Sequence, residues 1–247
     1  MSINAPSAVI RIIDTFIDYI KRLQERPIII AIDGHSSCGK STLSKDLAKV
    51  LDYTHIDTGA MYRGVTLYLI QQEIDITNND EVSKALHHVD ISFAKIGENS
   101  HLLLNGVDVE KDIRGLAVAS KVSPVAAISS VRRFLVDQQQ KMGHTKGIVM
   151  DGRDIGSVVF PDAELKIFMT ADSEVRANRR YEEMQSKGSK NTFEQVLANL
   201  KKRDLIDSTR SDSPLVKVDD AKVIDTTSLS REDQLRQAME LAITLLS

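Results

Sequence analysis

The chain has 247 residues with 32 lysines and arginines and 35 aspartates and glutamates, which gives a formal net charge of −3. This length suits one sizeable α/β domain with small inserted lobes, and the mild acidity together with 4% aromatic residues argues against a nucleic-acid-binding surface. No apolar run is long enough to span a bilayer, and the single cysteine excludes an intramolecular disulfide and fits a reducing compartment. We therefore expect a cytoplasmic protein with neither nucleic acid nor a membrane as its partner.

Residues 1–26 form a predicted amphipathic helical extension that ends before Pro27. Asp14 and Asp18 interrupt its apolar stretch, which is unlike a secretory signal. The favoured role of this helix is to pack on its own domain, and association with another chain is the alternative, so we expect a monomer. Its apolar face carries Val9, Ile10, Ile13, Phe16, Ile17 and Ile20.

The segment after Pro27 has the order strand, loop, helix. The run IIIAID is apolar enough for a strand buried on both faces, and it leads through GHSSCGKST into the helical pattern STLSKDLAKVL. Further short strands alternate with helices, at YTHID, GIVMD (147–151), LKIFMTA (165–171) and AKVID (221–225). Thr58 is the predicted cap of the helix after YTHID, with Asp57 as an alternative cap or a direct ligand, and Ser230 is the predicted cap of the last helix. Five such strands predict a parallel sheet covered on both faces, which is a three-layer α/β/α architecture.

Residues 89–109 break this alternation. Apolar and polar residues alternate from Val89 to Phe93, GENS is typical of a turn, and Asn105-Gly106 is a strong hairpin signal. The pattern predicts a small antiparallel meander inserted into the α/β frame.

The stretch GHSSCGKST matches the phosphate-binding pattern G-x-x-x-x-G-K-[ST], and its place between a buried strand and a helix makes the match strong. Its two glycines allow backbone conformations in which successive N–H groups cradle phosphate oxygens. Lys40 would neutralise the transferred phosphate, and the Ser41 hydroxyl is a candidate ligand of Mg²⁺. The candidate phosphate-binding residues are Gly34, His35, Ser36, Ser37, Cys38, Gly39, Lys40, Ser41 and Thr42.

His35 and Cys38 occupy positions of the loop whose side chains phosphate binding does not require. We expect neither to act in the transfer step, because phosphoryl transfer needs positioning and charge neutralisation rather than a nucleophile. Cys38 lies at a helix N-terminus near Lys40, where a thiolate is favoured, so we expect it to react with thiol reagents when the site is empty.

A phosphate loop leaves several classes of protein open. A regulatory GTPase would need a guanine-reading NKxD run, which the sequence lacks. A transport or motor ATPase would usually have a strand ending in acidic residues, and the only similar place, VMDGRD at 149–154, is interrupted by Arg153. The pattern therefore favours a kinase for a small acceptor. Kinases for UMP, shikimate or pantothenate are alternatives, as is a nucleotide-binding regulatory or ribosome-associated module.

Arginines stand where such a kinase would need them. Arg63 follows the second predicted strand, and Arg153 and Asp154 follow the third. The carboxyl ends of parallel strands line the ligand crevice, so we expect these groups to converge beside Lys40. Because planar guanidinium groups bind phosphate in a bidentate way, the arginines predict an acceptor-phosphate site.

Six segments of the chain together carry a resemblance to a known family. They are IDGHSSCGKST, IDTGAMYR, DIRG (112–115), VMDGRDIGSVVFPDAELKIFMTA, RANRR (176–180) and KRDLIDSTRSDSPL (202–215). In this order they resemble the bacterial-type cytidylate kinases, which are nucleoside monophosphate kinases of the P-loop class. The resemblance covers most of residues 28–228 and implies ATP-dependent phosphorylation of CMP and dCMP with Mg²⁺. It also implies a kinase core at 27–74 and 118–247 with a lid at about 181–213, and an acceptor-binding insert at 75–117.

The resemblance implies roles for residues of the acceptor site. Thr58 and Arg63 match positions that hold the acceptor nucleotide, and Arg114 matches an arginine that contacts the base. Arg153 matches a ligand of the acceptor phosphate, and Asp154 matches a carboxylate of the cytosine pocket. Cytosine has an amino donor where uracil has a carbonyl acceptor, so this carboxylate would favour cytosine.

The C-terminal part of the chain carries the other implied site residues. Asp207 and Arg210 match a pair that binds the pentose and the phosphate, and the implied catalytic set is Lys40, Arg153 and Arg210. No general base is expected, because a phosphate monoester with a second pKa of about 6 is already largely deprotonated. Relatives have a loop closer to GPSGAGKST, so Ser37 stands where they have glycine. The lid candidates are Arg176, Arg180 and Arg203.

Overall fold

The computed structural model describes residues 18–97, 99–186 and 188–245. Strands are numbered along the chain, and those at its centre are β1 (Ile29–Gly34), β2 (Thr54–Asp57), β6 (Ile148–Gly152), β7 (Leu165–Thr170) and β8 (Lys222–Asp225). They form a five-stranded sheet in the order β2-β6-β1-β7-β8, and every neighbouring pair is parallel. The predicted five-stranded parallel sheet is confirmed.

The central strand β1 is buried along its whole length, as expected for an apolar run covered on both faces. Successive side chains of a strand point to opposite faces. Accordingly, Ile30 and Ile32 belong to one hydrophobic core, whereas Ile29 and Ala31 belong to another. The sheet therefore separates two cores, which is the three-layer arrangement that the sequence predicts.

Helices cover both faces of the sheet. One core includes residues of α2 (Lys40–Leu51) and α9 (Arg231–Thr244), and the other includes residues of α3 (Thr58–Gln71), α5 (Leu116–Ala126) and α6 (Ser129–Met142). The remaining helices are α1, described over residues 18–25, α4 (Asn79–Leu86), α7 (Ser173–Ser186) and α8 (Phe193–Thr209). A 3₁₀ turn spans Asp112–Arg114, and a short π-helical segment spans Ile155–Val159.

The described part of the N-terminal extension packs on its own domain. Leu23 of α1 is fully buried in the core that contains α2, and its carbonyl accepts a hydrogen bond of 2.7 Å from the Tyr53 hydroxyl. The other predicted apolar residues of this helix up to Ile17 lie outside the described residues. Within residues 18–97, 99–186 and 188–245, no helix has the length and apolar character that crossing a membrane requires.

A second, smaller sheet lies where the sequence predicts a meander. It has three antiparallel strands, β3 (Ile91–Ile96), β4 (Asn99–Leu104) and β5 (Val107–Asp108). Asn105 and Gly106 join β4 to β5 with φ angles of 50° and 79°. Both angles lie in the left-handed region that an Asn-Gly turn favours, so the local sequence determines this hairpin.

The cap of α3 is Asp57, the alternative candidate, and not Thr58. Asp57 has an extended backbone, with φ −83° and ψ 94°, and its carboxylate accepts a hydrogen bond of 2.9 Å from the Ala60 amide. A capping residue must lie outside the helix so that its side chain can reach back to the free N–H groups. Thr58 is already helical, and its hydroxyl instead donates to the carbonyl of Asp151 at 2.7 Å. At the last helix, Ser230 accepts from the Asp233 amide, as predicted.

Candidate active site

A cavity of about 530 Å³ lies at the carboxyl ends of β1, β2 and β6. The phosphate loop, the start of α3 and parts of α5, α6, α7 and α8 complete its wall. Parallel α/β sheets bind ligands at this edge, and the volume is that of a small-molecule site. The structure brings all the predicted acceptor residues to this cavity: Thr58, Arg63, Arg114, Arg153, Asp154, Asp207 and Arg210.

The phosphate loop wraps one end of the cavity with a backbone that bends sharply. Gly39 has a φ of 96° and Ser37 a φ of 62°, so both residues are left-handed. This conformation costs a residue with a Cβ about 1 kcal/mol, so Ser37 adopts the turn at some cost to stability. The loop residues that line the cavity are Ser36, Ser37, Gly39, Lys40, Ser41 and Thr42.

Three other residues of the predicted loop do not line the cavity. Gly34 packs on β7, where a Cβ would lie 2.0 Å from the carbonyl oxygen of Met169. His35 turns toward α8, with its Nδ1 atom 3.4 Å from the Asp204 carboxylate. Cys38 is fully buried in the core, and its Sγ donates to the His35 carbonyl at 3.0 Å. This burial argues against the expected reactivity of the Cys38 thiol, because a reagent can reach the sulfur only when the structure opens.

Lys40 is the buried cation of the loop. Its Nζ donates to the carbonyl oxygen of His35 at 2.6 Å. Burial lowers the pKa of Lys40 from its ordinary value, and the nearby Arg153 guanidinium lowers it further. An ammonium group in this environment gains a large electrostatic benefit from a bound anion, because burial has already removed most of its water.

Ser41 is held by a carboxylate that the sequence analysis did not select. Its Oγ donates to Asp151 Oδ2 at 2.7 Å, and Asp151 lies at the end of β6 directly beside β1. Hydroxyl and carboxylate oxygens are the donors that Mg²⁺ prefers, so this pair fits that metal. The signal for Asp151 was available, since it is the acidic last residue of the predicted buried strand GIVMD, within the VMDGRD run noted above.

Asp57 links two arginines on the acceptor side of the cavity. Its carboxylate lies 3.0 Å from Arg63 and 3.5 Å from Arg114. Burial would raise the pKa of Asp57, but the two guanidinium groups outweigh burial and hold the pKa below its ordinary value. Asp57 therefore caps α3 and also orients cations toward the cavity.

Asp207 likewise links two arginines, Arg153 and Arg210. Its carboxylate accepts from Arg153 Nε at 2.7 Å and lies 3.7 Å from Arg210. Burial would raise the pKa of Asp207, but Arg153 and Arg210 lower it below the ordinary value. Because Asp207 and Arg210 both come from the C-terminal end of α8, this helix delivers an ion pair to the cavity formed by the sheet.

Arg132 of α6 is a cavity residue that the sequence reasoning missed. Its guanidinium is 1% exposed, forms an ion pair with Asp154, and lies over the ring of Tyr62 at 5.5 Å. Only Asp154 Oδ2 is engaged in this pair, while Oδ1 is 4.0 Å from Arg210. The sequence does contain a signal for a buried role of Arg132, because this arginine lies on the apolar face of a helix, between Val131 and Leu135.

The arginines of α7 and α8 divide into two groups. The lid candidates Arg180 and Arg203 line the cavity, and so does Arg179. Burial lowers the pKa of Arg203 to about 10, and Arg153 lowers it as well. Arg176 does not line the cavity, because its guanidinium bonds the carbonyl of Ser36 and the carboxylate of Asp204. The structure therefore places the Arg176 guanidinium between the phosphate loop and α8, outside the cavity wall.

Several buried polar atoms around the cavity have no hydrogen-bond partner among the described residues. They come from α3, α6, α8 and the residue that follows α8, and each belongs to a side chain that lines the cavity. A buried donor without a partner costs about 1–3 kcal/mol, so this set favours an anionic ligand rich in acceptor oxygens. The atoms are Tyr62 Oη, Arg63 Nε, Arg132 Nε, Arg203 Nε and Arg210 Nη2.

Comparison of the sequence with known proteins identifies the family of this chain. The model of the cytidylate kinase family matches residues 30–244. A cytidylate kinase of Parabacteroides distasonis is 57% identical over 220 residues, which cover 87% of this chain and 96% of the relative. One of Bacteroides fragilis is 54% identical over 214 residues, with 85% and 93% covered. One of Flavobacterium psychrophilum is 52% identical over 222 residues, with 87% and 98% covered. The chain therefore belongs to the cytidylate kinase family.

Proposed function

We propose that this protein transfers the γ-phosphoryl group of ATP to CMP or dCMP and releases ADP and the cytidine diphosphate. The observation that carries the proposal is the set of buried guanidinium N–H donors that converge on one cavity beside the phosphate loop and have no hydrogen-bond partner among the described residues. Two polyanions must lie side by side for this reaction, and their mutual repulsion has to be neutralised. The cavity offers this neutralisation from several elements of the fold at once.

The acceptor phosphate would lie among Arg63, Arg153 and Arg210. Asp57 and Asp207 hold these guanidinium groups in place, so that little side-chain freedom is lost when the phosphate binds. The acceptor phosphate is already largely deprotonated near neutral pH, since the second pKa of a phosphate monoester is about 6. Its oxygen can therefore attack without a general base, and the protein's task is alignment.

The cytosine base would lie beside Asp154. Arg132 engages one oxygen of this carboxylate, and the other oxygen has no hydrogen bond among the described residues, so it can accept from the amino group of cytosine. A uracil would present a carbonyl oxygen to the same carboxylate. Two buried acceptors facing each other leave both unsatisfied, so Asp154 would discriminate against UMP.

The donor phosphates would lie in the phosphate loop, with Lys40 at the transferred group. Mg²⁺ would be held at Ser41 with Asp151 beside it, and when bound it neutralises oxygens of the donor phosphates. Arg180 and Arg203 would approach from the other side of the cavity. Positive charge thus surrounds the site where negative charge develops during transfer.

The proposed division of the chain follows from these roles. Residues 27–74 and 118–247 would form the kinase core, residues 75–117 the acceptor-binding insert, and residues from about 181 to 213 the lid. Residues 1–26 would be an extension of a monomer, with α1 packed on its own core. Deleting residues 1–26 and measuring the mass by light scattering tests whether the extension assembles chains.

A coupled assay of ADP release tests the activity. ATP is offered with CMP, dCMP, UMP, AMP, shikimate or pantothenate in turn, and we expect the highest kcat/KM with CMP or dCMP. Faster turnover of another acceptor would show that the assigned acceptor is wrong. Turnover of none of them, with ATP still bound, would favour a nucleotide-binding module over a kinase.

A further inference from the structure

His55 lies directly behind the proposed metal site. It is the second residue of β2, and its Nε2 atom is 2.8 Å from Asp151 Oδ1 on the neighbouring strand β6. The His55 side chain is 9% exposed and that of Asp151 is 5% exposed. Because the carboxylate can only accept, the imidazole donates its Nε2–H in this contact.

The two oxygens of Asp151 therefore have different partners. Oδ1 accepts from His55, and Oδ2 accepts from Ser41 at 2.7 Å. With both oxygens engaged, the carboxylate has one favoured rotation about its Cβ–Cγ bond, which keeps Oδ2 toward the phosphate loop. Without the imidazole, Oδ1 would be a buried acceptor with no strong partner, and the carboxylate could turn away from Ser41.

We propose that His55 is a positioning residue, which orients Asp151 and through it Ser41 so that their oxygens are ready for a divalent cation. This role of His55 rests on the proposed function in one respect, namely that the cation binds together with the nucleotide. An arginine or lysine in this position would donate a hydrogen bond but would always place a positive charge beside the cation site. An imidazole can donate the hydrogen bond without that constraint. Partners behind metal-binding groups typically change metal affinity by about 10- to 100-fold when they are removed.

Three substitutions separate positioning from simple packing. His55→Leu fills the space but removes the donor. His55→Gln keeps an N–H at about the reach of Nε2, and His55→Asn has the same amide on a side chain one carbon shorter. Mn²⁺ serves as the probe, and its affinity for the protein with ADP bound is measured by electron paramagnetic resonance. Binding of ADP in EDTA and binding of CMP are measured by calorimetry on the same samples.

Positioning predicts a selective effect on the metal. We expect His55→Leu and His55→Asn to weaken Mn²⁺ binding by about 10-fold or more, and His55→Gln to stay within about threefold of the parent. ADP binding in EDTA and CMP binding should change by less than about threefold in all three variants. If His55→Leu does not fold, the comparison of Gln with Asn still decides the matter.

His101→Leu is the matched control. His101 Nδ1 lies 2.8 Å from Asp108 Oδ2, a pair of the same chemistry on the small antiparallel sheet, away from the cavity. This variant should leave Mn²⁺ affinity unchanged. Unchanged Mn²⁺ affinity in both His55→Leu and His55→Asn would overturn the proposal, as would an equal loss of Mn²⁺, ADP and CMP binding in all three variants. The two proposals can fail separately. If the parent does not phosphorylate CMP but the His55 variants change Mn²⁺ affinity as expected, the proposed function fails and the role of His55 stands.

Discussion

Arg132 and Asp154 form a buried ion pair in which neither side chain is more than 5% exposed. The pair joins α6 to the loop after β6, so it connects a helix on one face of the sheet to the edge where the cavity opens. The Arg132 guanidinium also donates to the carbonyl of Ala126 at 3.0 Å. This pair therefore combines a structural contact with the candidate base pocket.

Replacing Arg132 with methionine should destabilise the fold. The substitution leaves the Asp154 carboxylate buried without its partner, and breaking a buried pair in this way costs about 3–5 kcal/mol. The free energy of unfolding, measured by urea denaturation, checks this. Lys141→Met, which removes an exposed pair with Asp137, is the control and should cost less than about 1 kcal/mol. A loss below about 1 kcal/mol for Arg132→Met would contradict the prediction.

Replacing Arg153 with alanine should impair catalysis much more than folding. Arg153 is proposed to hold the acceptor phosphate, and removal of one such preorganised donor costs about 10²–10³ in rate. Steady-state kinetics with CMP should therefore show kcat/KM lower by that factor. Arg236→Ala, an exposed arginine of α9 outside the cavity wall, should leave kcat/KM unchanged. A value for Arg153→Ala within about threefold of the parent would exclude the role.

Replacing Asp154 with asparagine should relax the choice of base. An amide can donate to the carbonyl of uracil where the carboxylate could not, so the ratio of kcat/KM for CMP to that for UMP should fall at least about tenfold. The ratio is the quantity to compare, because any general loss from the broken contact with Arg132 affects both substrates. An unchanged ratio would mean that another residue reads the base.

Asp33 should titrate close to pH 6 in the folded protein. Burial raises the pKa of its carboxyl from 3.8 to about 6, although the amides of Ile155 and Gly156 donate to it and oppose this rise. A raised carboxyl pKa gives stability that is complete below about pH 3.8 and is lost as the pH rises through about 6. With 1.36 kcal/mol for each pKa unit, the loss is at most about 3 kcal/mol.

Two measurements check the titration of Asp33. Carbon NMR of its carboxyl follows the protonation directly. Urea denaturation of the parent and of Asp33→Asn between pH 4 and 7 should show the parent losing stability relative to the variant as the pH rises. The comparison cancels the titration of other carboxylates, which is shared by both proteins. A midpoint below about pH 4.5 would be inconsistent with the expected effect of burial.

Cys38 should be protected from thiol reagents while the protein is folded. Its side chain is fully buried, so modification requires local or global opening. A chromogenic disulfide reagent should react slowly with the native protein and release one equivalent promptly in urea. Cys38→Ala should keep turnover within about threefold, because no step of phosphoryl transfer needs the thiol. Rapid reaction of the native protein would show that the sulfur is accessible.

The sequence by itself determined the parallel sheet, the phosphate loop, the Asn105-Gly106 hairpin and the family. These features depend on local signals, namely apolar runs of strand length, glycines at fixed spacing and long motifs in a fixed order. The convergence of Arg63, Arg153 and Asp154 was also foreseeable, because they follow parallel strands whose carboxyl ends meet at one edge. Arg114, Asp207 and Arg210 do not stand at strand ends, and only the family resemblance pointed to them. Their catalytic and binding roles stay predictions for the assays above.

Only the tertiary structure decided which polar side chains face one another. Asp151 and His55 lie on strands that are far apart in sequence and adjacent in the sheet, so their contact depends on strand order. Arg132 and Arg176 are arginines on helices, and sequence spacing does not tell whether such a residue faces solvent, the cavity or a carbonyl. The choice of Asp57 over Thr58 as a cap depended on where the backbone leaves its extended conformation. The contacts of Asp151, Arg132 and Arg176 depend on long-range packing, which residue spacing along the chain does not encode.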